Sequence, residues 1–554
     1  MRQRVCLARP RIDSLSLAMK ETSSALSDHW ADKTAFRIIR QKGDRDSYVC
    51  ASGISPSGTV HLGNFREIIS VDLVVRALKD LGKSVRFIYS WDDFDAFRKV
   101  PADTSGAATL ESYLRRPIIH VPDPQGREES FARANERVVE LILGRLGINP
   151  EYIYQSERYI AGSYAEGMRV AITRREQIRA ILDTFRKEPL PEGWMPITVF
   201  CGNCDLDTTS VDDFDGDWAI SYHCENCDHA ESVDLRQATG AKLLWRIDWP
   251  MRWRHESVDF EPAGKDHHSA GGSFDTAKEI VQQVYEALPP VTFKYDFISV
   301  KGLGGKMGSS LGNAVSIDDV LSVYQPEVVR YLFAGTRPDS EFTISFDLDV
   351  IKIYEDYDRC EYAFYHPEEV GEKKRAKLRR IYQLSQVVEV EKSQPPQLPF
   401  RHLCNLLQIY EGDLVAARDA HLLVSGLDPS TLSSTTIDRL DTRVRCAWTW
   451  ISDHAPEEFR FSLRSPGDPS VSISDDERDL IRDVADRLIE YRGEDEVELT
   501  EIFRSTADQH GVAVADMYKT IYRVLLNKER GPRLAPFVLV AGSERIHSIL
   551  HAVE

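Results

Sequence analysis

Four cysteines in two closely spaced pairs carry the clearest chemistry in the sequence. The first pair lies in Cys201-Gly-Asn-Cys204 and the second in Cys224-Glu-Asn-Cys227. Each pair presents two thiolates across a tight turn, a spacing typical of closed tetrahedral zinc sites. We expect these cysteines to bind one Zn²⁺. Because four protein ligands leave no open coordination position, we expect the ion to be structural.

A turn near residue 58 has the residue types that bind phosphate. It lies in the segment 51–64, where Gly53 and Gly58 let a ligand approach the backbone closely. A helix beginning near Leu62 would direct its amide dipole at that ligand. We expect His61 to hydrogen-bond a phosphate oxygen and Gly63 to leave room for adenine, although an ordinary turn with a structural histidine has the same local pattern.

A second glycine-rich segment, at 301–313, carries two lysines. Lys306 in such a loop suits stabilisation of the negative charge that develops when the α-phosphorus of a triphosphate is attacked. Ser309 and Ser310 add hydroxyl or backbone donors. Taken alone, such a segment is more often a solvated surface turn.

The elements around these loops indicate a nucleotide-binding sheet. Residues 48–53 predict a buried strand, 64–81 a helix with apolar residues at helical spacing, and 85–89 a second strand. This order is typical of a parallel α/β sheet. Further strands are expected at 243–247 and 297–300, so an insertion must split the sheet. We also expect helices at 130–147 and 162–187, and a mainly helical chain after Asp318.

Composition restricts the possible partners. The 554 residues include 69 Lys and Arg against 88 Asp and Glu, for a net charge of −19. This charge argues against a protein whose whole surface attracts nucleic acid or anionic membranes, but it permits a local basic groove. Nine cysteines in so long a chain do not indicate a disulfide scaffold, and the sequence contains neither a membrane span nor a secretory signal. We expect a cytoplasmic protein whose natural start is Met19 rather than Met1.

Taken together, the two loops resemble the HIGH and KMSKS signatures of class I aminoacyl-tRNA synthetases. His61-Leu-Gly-Asn64 follows the first strand, and Lys306-Met-Gly-Ser-Ser310 follows the last strand of the split sheet. The resemblance narrows to the archaeal-type class I lysyl-tRNA synthetases and runs from about Trp30 to the C-terminus. The segments that carry it are 52–58, 91–101, 245–253, 259–267, 346–359 and 528–533.

The resemblance implies ATP-dependent activation of lysine, with Mg²⁺ held mainly by phosphate oxygens, and transfer of lysine to its tRNA. His61, Asn64 and Lys306 would be catalytic. Positions implied for ATP binding are Ser55, Pro56, Gly58, His61, Gly63, Asn64, Lys306, Met307, Ser309 and Ser310. Positions implied for lysine binding are Gly53, Ser55, Trp245, His267 and Tyr295. Asp92 and Asp93 join the latter set because they end the second strand, at the sheet edge where ligands bind.

The same resemblance implies the fold and its division into domains. The expected fold is a class I synthetase α/β fold with a Rossmann-like parallel-sheet catalytic domain, a zinc-bearing insertion and a mainly α-helical C-terminal half. The expected segments are an N-terminal extension at 1–29, the first catalytic half at 30–120, the insertion at 121–235, the second catalytic half at 236–318, a helical stem-contact region at 319–391 and an α-helical anticodon-binding domain at 392–554.

Lysine tRNA is the expected macromolecular partner, with no membrane and a monomer favoured. Three basic runs are candidate contacts to its phosphates. Two departures from the signature, Gly308 for serine and Leu311 for lysine, leave alternatives open: a class I paralogue for another amino acid or acceptor, or an inactive zinc-bearing RNA-binding paralogue. The basic runs comprise Lys373, Lys374, Arg375, Lys377, Arg379 and Arg380; Arg439, Arg443 and Arg445; and Arg523, Lys528, Arg530 and Arg533.

Overall fold

The computed structural model describes residues 28–101, 107–237, 240–302, 315–466, 468, 471–493 and 495–553. In chain order, its elements up to residue 344 are α1 (Trp30–Lys42), β1 (Ser47–Ile54), α2 (Leu62–Asp80), β2 (Ser84–Trp91), α3 (Ala107–Leu110), α4 (Phe131–Arg145), β3 (Glu151–Tyr154), α5 (Gln155–Ile160), α6 (Ala165–Thr173), α7 (Arg175–Asp183), β4 (Ile197–Val199), β5 (Thr209–Phe214), β6 (Ala219–Cys224), β7 (Ala230–Asp234), β8 (Ala241–Leu243), α8 (Trp245–Glu256), β9 (Ala263–Gly264), α9 (Ser273–Gln283), β10 (Lys294–Tyr295), β11 (Ile298–Val300), α10 (Ile317–Val323), α11 (Pro326–Gly335) and β12 (Phe342–Ile344).

The remaining elements are helical, and the chain divides into two compact units. The first unit comprises residues 1–318, 329–344 and 366–390, and the second comprises 319–328, 345–365 and 391–554. The helices after residue 344 are α12 (Asp349–Tyr365), α13 (Glu372–Ser385), α14 (Phe400–Ile409), α15 (Leu414–Val424), α16 (Ser434–Thr449), α17 (Asp475–Glu490), α18 (Glu496–Gln509), α19 (Val514–Leu526), α20 (Leu534–Ala541) and α21 (Ser543–His551).

A parallel sheet forms the centre of the first unit. Its strands lie in the order β3–β2–β1, and the segment around Phe260 continues it beyond β1 through a parallel bridge to Cys50. Phe260 in turn bridges Val291, also in parallel. The expected parallel α/β sheet is therefore confirmed. All these segments end at one edge, which gathers residues far apart in sequence.

The strand–turn–helix–strand unit is close to its predicted limits. β1 and β2 are paired in register from Ser47 with Ser84 to Ile54 with Trp91. In α2 the His61 side chain caps the first turn, and Gly82 follows the helix with φ of 75°, a conformation that glycine adopts without strain. The unit therefore places the start of α2 at the sheet edge where β1 and β2 end.

The prediction of a strand at 243–247 is wrong. β8 ends at Leu243, and α8 begins at Trp245. A short apolar run does not distinguish a strand from a buried helix, and here the following residues complete a helix whose Ile247 and Met251 face the core. The helix expected at 162–187 is likewise divided, into α6 and α7, at Arg174.

The insertion carries a small antiparallel sheet. The strands of this sheet lie in the order β5, β6, β7. Separately, β4 pairs with β8, and the two strands bracket the insertion's sheet along the chain. Both cysteine pairs belong to this part of the chain: one follows β4 and the other closes β6. The antiparallel ladder therefore sets the distance between the two pairs.

The second unit is a helical array with its own core, formed by the apolar faces of α17 to α21. Ser474 and Glu477 form a capping box that begins α17. Arg439 pairs with Glu361 and buried Arg443 with Asp358, so the expectation that these two arginines contact RNA is wrong. A buried, paired guanidinium stabilises the helix packing and is not available to phosphate. Within the described residues, no helix is long and apolar enough to cross a membrane.

Candidate active site

A cavity of about 530 Å³ lies at the sheet edge, where β1 gives way to α2. It brings together the turn predicted to bind phosphate and the segment that follows β2. Ser55, Gly58, His61 and Asn64 all line it, as expected for a nucleotide site. Pro56 lies in the same turn, where its carbonyl accepts a hydrogen bond from the Asn135 amide. The remaining lining residues are Ile54, Ser57, Thr59, Val60, Asp95, Ala96, Arg98, Lys99, Pro101 and Ile118.

The His61 side chain is fixed at the N-terminus of α2. Its Nδ1 accepts a hydrogen bond of 3.1 Å from the Gly63 backbone N–H, which caps the helix. A neutral ring with Nδ1 as acceptor carries its hydrogen on Nε2. The helix dipole adds partial positive charge at this point, so the position favours an anion.

The segment that follows the second glycine-rich loop lies beside His61. Leu62 N–H donates to the Val315 carbonyl (3.0 Å), and Ser316 forms an antiparallel bridge with His61. At the other end, Lys301 N–H donates to Ile344 at the end of β12. Lys306, Met307, Ser309 and Ser310 lie outside the described residues, as do Gly308 and Leu311. Their roles stay predictions.

Ser55 is held by a charged pair, one member of which, Asp95, also lines the cavity. Its hydroxyl donates to Asp95 (2.9 Å), and the other carboxylate oxygen of Asp95 pairs with buried Lys242. Burial would raise the pKa of Asp95, but the Lys242 charge outweighs it and lowers that pKa. Ser55, which was expected to contact both ATP and lysine, thus lines this larger cavity and not the narrower one described next.

A second, narrower cavity of about 90 Å³ lies on the other side of the end of β1. Gly53 lines it, and a Cβ there would stand 2.7 Å from the Ser90 carbonyl, so this close strand pair requires glycine. Trp245 and His267, both expected for lysine binding, also line it, as does Asp92. The other lining residues are Ala51, Ser52, Glu67, Ile88, Ser90, Trp249, Arg252, Trp253, Glu256, Val258, Glu261, Pro262 and Ala263.

Glu67, on α2, is the central acid of this cavity. Its carboxylate accepts hydrogen bonds from the Tyr295 hydroxyl (2.6 Å), the Ser52 hydroxyl (2.9 Å) and the Gly53 N–H. Burial raises the pKa of Glu67 to about 7 and nearby Glu261 adds to the rise, while the hydrogen bonds oppose it. Among the described residues no lysine, arginine or histidine forms an ion pair with Glu67, so the site is suited to a cationic ligand.

Three tryptophans form the wall opposite Glu67. Trp245 lies parallel to Trp249 with 5.7 Å between ring centroids, and His267 stands 5.7 Å from Trp245. The indole N–H groups of Trp249 and Trp253 both donate to Glu261, which orients that carboxylate as a second buried acid. Aromatic faces beside acids suit an alkyl chain that ends in an ammonium group.

The two aspartates expected to meet lysine are engaged elsewhere. Asp92 lines the cavity, but Arg252 donates to it at 2.7 Å and also pairs with Asp248. Asp93 accepts the Ser156 N–H (2.8 Å) and the Ser156 hydroxyl, and burial raises the pKa of Asp93 to about 6. The free negative charge of the cavity therefore comes from Glu67 and Glu261.

Sequence reasoning missed Glu67, Glu261 and Trp249. A signal for Glu67 was present, since it follows Asn64 by three residues and so lies on the same face of α2. Glu261 and Trp249 belong to segments that carried the family resemblance, but nothing local distinguished them from core residues. Tyr295 was predicted, and its hydroxyl bond to Glu67 supplies the physical reason for its place in the site.

The four cysteines meet at one point. Cys201 and Cys227 stand 3.7 Å apart and Cys204 and Cys224 3.6 Å apart, and all four Sγ atoms lie within 4.8 Å of one another. A tetrahedron with Zn–S bonds of about 2.3 Å separates its sulfurs by about 3.8 Å. The donor set and spacing therefore fit a structural Zn²⁺, with no position left for water or substrate.

We expect one zinc per chain, and we expect Cys224→Ser to reduce it to well below one equivalent. Because metal binding energy contributes to folding, the variant should also melt several degrees lower. Zinc released by a thiol-blocking reagent, measured with a chromogenic chelator, checks the stoichiometry. Cys360→Ser, a buried cysteine of the second unit, is the matched control and should retain full zinc.

The sequence matches the family described as tRNA synthetases class I (K) over residues 28–388. It is 49% identical over 532 residues to the lysine–tRNA ligase of Treponema pallidum (strain Nichols), a match that covers 94% of this chain and 98% of the relative. The lysine–tRNA ligase of Borrelia garinii subsp. bavariensis is 47% identical, with coverage of 94% and 98%. That of Thermococcus kodakarensis is 38% identical, with coverage of 92% and 97%. The similarity therefore extends well beyond the residues that line the two cavities.

Proposed function

The chain belongs to the family of class I tRNA synthetases denoted K, and from that premise we propose that it is a ligase for lysine and tRNA. It activates L-lysine with ATP to lysyl-adenylate, and it transfers the lysyl group to the 3′ end of lysine tRNA with release of AMP. The observation that carries this proposal is the narrow acidic and aromatic cavity beside the nucleotide cavity, with Glu67 free of any ion pair among the described residues.

Lysine occupies the narrow cavity with its ε-ammonium group at Glu67. The hydroxyl of Tyr295 donates to the same carboxylate and holds it in place. The stem of lysine lies against Trp245 and Trp249, and its α-carboxylate points past Gly53 towards the nucleotide. That carboxylate is already the nucleophile, so activation requires positioning and charge stabilisation rather than a general base.

ATP occupies the larger cavity with its phosphates at the start of α2. His61 and Asn64 bind the phosphates and ribose, and Lys306 stabilises the charge that develops at the α-phosphorus. Mg²⁺ bound by the phosphate oxygens would neutralise part of the charge of the triphosphate. The bridge between His61 and Ser316 supports the placement of the Lys306 loop next to this site.

The tRNA contacts involve cations that the fold leaves exposed. On α13, Lys373, Lys374, Arg375 and Lys377 are exposed, whereas Arg380 pairs with Asp32 and Asp80 and is structural. The first four therefore remain candidates for phosphate contacts. In the second unit, a cavity of about 740 Å³ combines cations with aromatic rings, a composition that suits unpaired bases of an anticodon loop. Its lining includes Arg401, His402, Asn405, Phe459, Phe461 and Arg530.

Pyrophosphate exchange across the twenty amino acids, with and without lysine tRNA, tests the proposal. We expect exchange with lysine above all other amino acids. Exchange with another amino acid alone would favour a paralogue of different specificity. A chain that exchanges with none, even with tRNA present, but still binds tRNA would be the inactive RNA-binding paralogue.

We expect the affinity for lysine to fall as the pH drops below about 7. The pKa of Glu67 is raised to about 7 in the empty site, so below that pH the carboxyl is protonated and lysine must displace the proton. Above pH 7 the carboxylate is present and affinity is constant until the lysine ammonium itself titrates. The pH profile of kcat/KM for lysine measures this, and the profile for ATP should lack the same step.

A further inference from the structure

The segment 96–101, which follows β2, forms one wall of the nucleotide cavity. Arg98 and Lys99 are its two cations, and both are exposed. They differ in their partners: Arg98 pairs with Asp207 at 2.5 Å, whereas Lys99 forms no ion pair with any residue that the structure describes. Arg98 is thus neutralised, and Lys99 is the cation that the wall offers to a ligand.

Asp207 contacts this wall directly through Arg98 and indirectly through Arg115. Its carboxylate, 3% exposed, also accepts Arg115 Nε at 2.7 Å, and its backbone N–H donates to the Arg115 carbonyl. Arg115 N–H in turn donates to the Phe97 carbonyl, next to Arg98. Asp207 therefore holds both the chain that carries Lys99 and the chain paired beside it. A buried carboxylate between two guanidinium groups has its charge satisfied by both of them.

Asp207 is part of the cysteine-bearing loop. The Leu206 carbonyl accepts the Cys201 N–H (3.0 Å), and the Thr208 hydroxyl lies 3.4 Å from Cys224 Sγ. Both chain neighbours of Asp207 are thus tied to cysteines of the Cys₄ cluster. The cysteine-bearing loop therefore holds Asp207 in place, and Asp207 in turn holds the wall segment 96–101 in place.

We propose that Lys99 binds the polyphosphate of ATP and that Asp207, in the cysteine-bearing loop, is the positioning residue for the segment that carries it. A cation on the wall that faces His61 and Asn64 adds charge where the phosphates lie. The inference rests on the proposed function, because it assumes that ATP occupies this cavity. It also gives the insertion a role in nucleotide binding.

Lys99→Met tests the first part. We expect KM for ATP to rise about tenfold in pyrophosphate exchange, with KM for lysine and KM for tRNA unchanged. Lys79→Met, an exposed lysine outside this cavity, is the matched control and should behave as the parent chain. An unchanged KM for ATP, or a rise in KM for tRNA alone, would overturn the assignment. If the parent chain shows no exchange at all, the proposed function has failed, rather than this inference.

Asp207→Asn and Arg98→Ala test the second part from both ends of one ion pair. We expect each to raise KM for ATP several-fold and to weaken equilibrium binding of a fluorescent ATP analogue, with full zinc content and unchanged KM for lysine. The double variant should be no worse than the poorer single variant. Asp205→Asn, whose carboxylate pairs with His120, is the control. Loss of zinc, or equal rises in both KM values, would contradict a positioning role.

Discussion

We expect replacement of Glu67 with glutamine to lower kcat/KM for lysine by about 100- to 1,000-fold and to leave KM for ATP within about twofold of the parent value. The substitution keeps the size of the side chain but removes the buried negative charge that meets the ε-ammonium group. An ammonium group left unpaired in a desolvated cavity costs several kcal/mol, because neither water nor a counter-ion replaces the lost partner. Steady-state pyrophosphate exchange at varied lysine and ATP measures both effects.

Glu256→Gln is the matched control for this prediction. Glu256 lines the same cavity, but its carboxylate pairs with Arg86 at 2.7 Å and so contributes no free charge. We expect this variant to lose little affinity for lysine. Equal losses in the two variants, or a parallel rise in KM for ATP after Glu67→Gln, would show that Glu67 acts through the fold and not through lysine.

We expect replacement of His61 with asparagine to lower kcat for adenylate formation by about 100-fold and to leave the melting temperature within about 2 °C of the parent value. Asparagine is a good helix N-cap, so it preserves the hydrogen bond to the Gly63 N–H. It cannot extend a ring N–H into the nucleotide cavity, so the phosphates lose one donor during attack. Rapid-quench measurement of adenylate formation separates this step from binding.

His61→Ala and Ser130→Ala separate catalysis from capping. His61→Ala should lose the same catalytic factor and also about 1 kcal/mol of stability from the lost cap. Ser130 caps α4 by accepting the Arg133 N–H and lies outside the cavity, so Ser130→Ala should lose stability alone. If His61→Asn kept full kcat while His61→Ala did not, His61 would be a cap and nothing more.

Local signals predicted a large share of this fold. The β1–α2–β2 unit was predicted from apolar periodicity and glycine positions, because these patterns reflect strand and helix geometry within a few residues. The Cys₄ cluster was equally predictable, since the two thiolates of each pair are set by one turn. The prediction of a strand at 243–247 failed because an apolar run of five residues fits either a strand or a buried helix. Burial by residues distant in sequence decided between the two.

Charge pairing at the site could not be predicted in the same way. Asp92 and Asp93 stood at the correct sheet edge, but Arg252 neutralises the first and Ser156 binds the second. Only the folded chain shows that Glu67 forms no ion pair with any described residue and that the hydroxyl of Tyr295, far along the sequence, donates a hydrogen bond to it. The sequence by itself determined the parallel sheet, the glycine turn between β1 and α2 and the cysteine cluster, because each depends on neighbours along the chain. The tertiary structure alone decided which acids of the narrow cavity are paired with a cation and which are not, because the charge of a buried group depends on partners that only folding brings within hydrogen-bond distance.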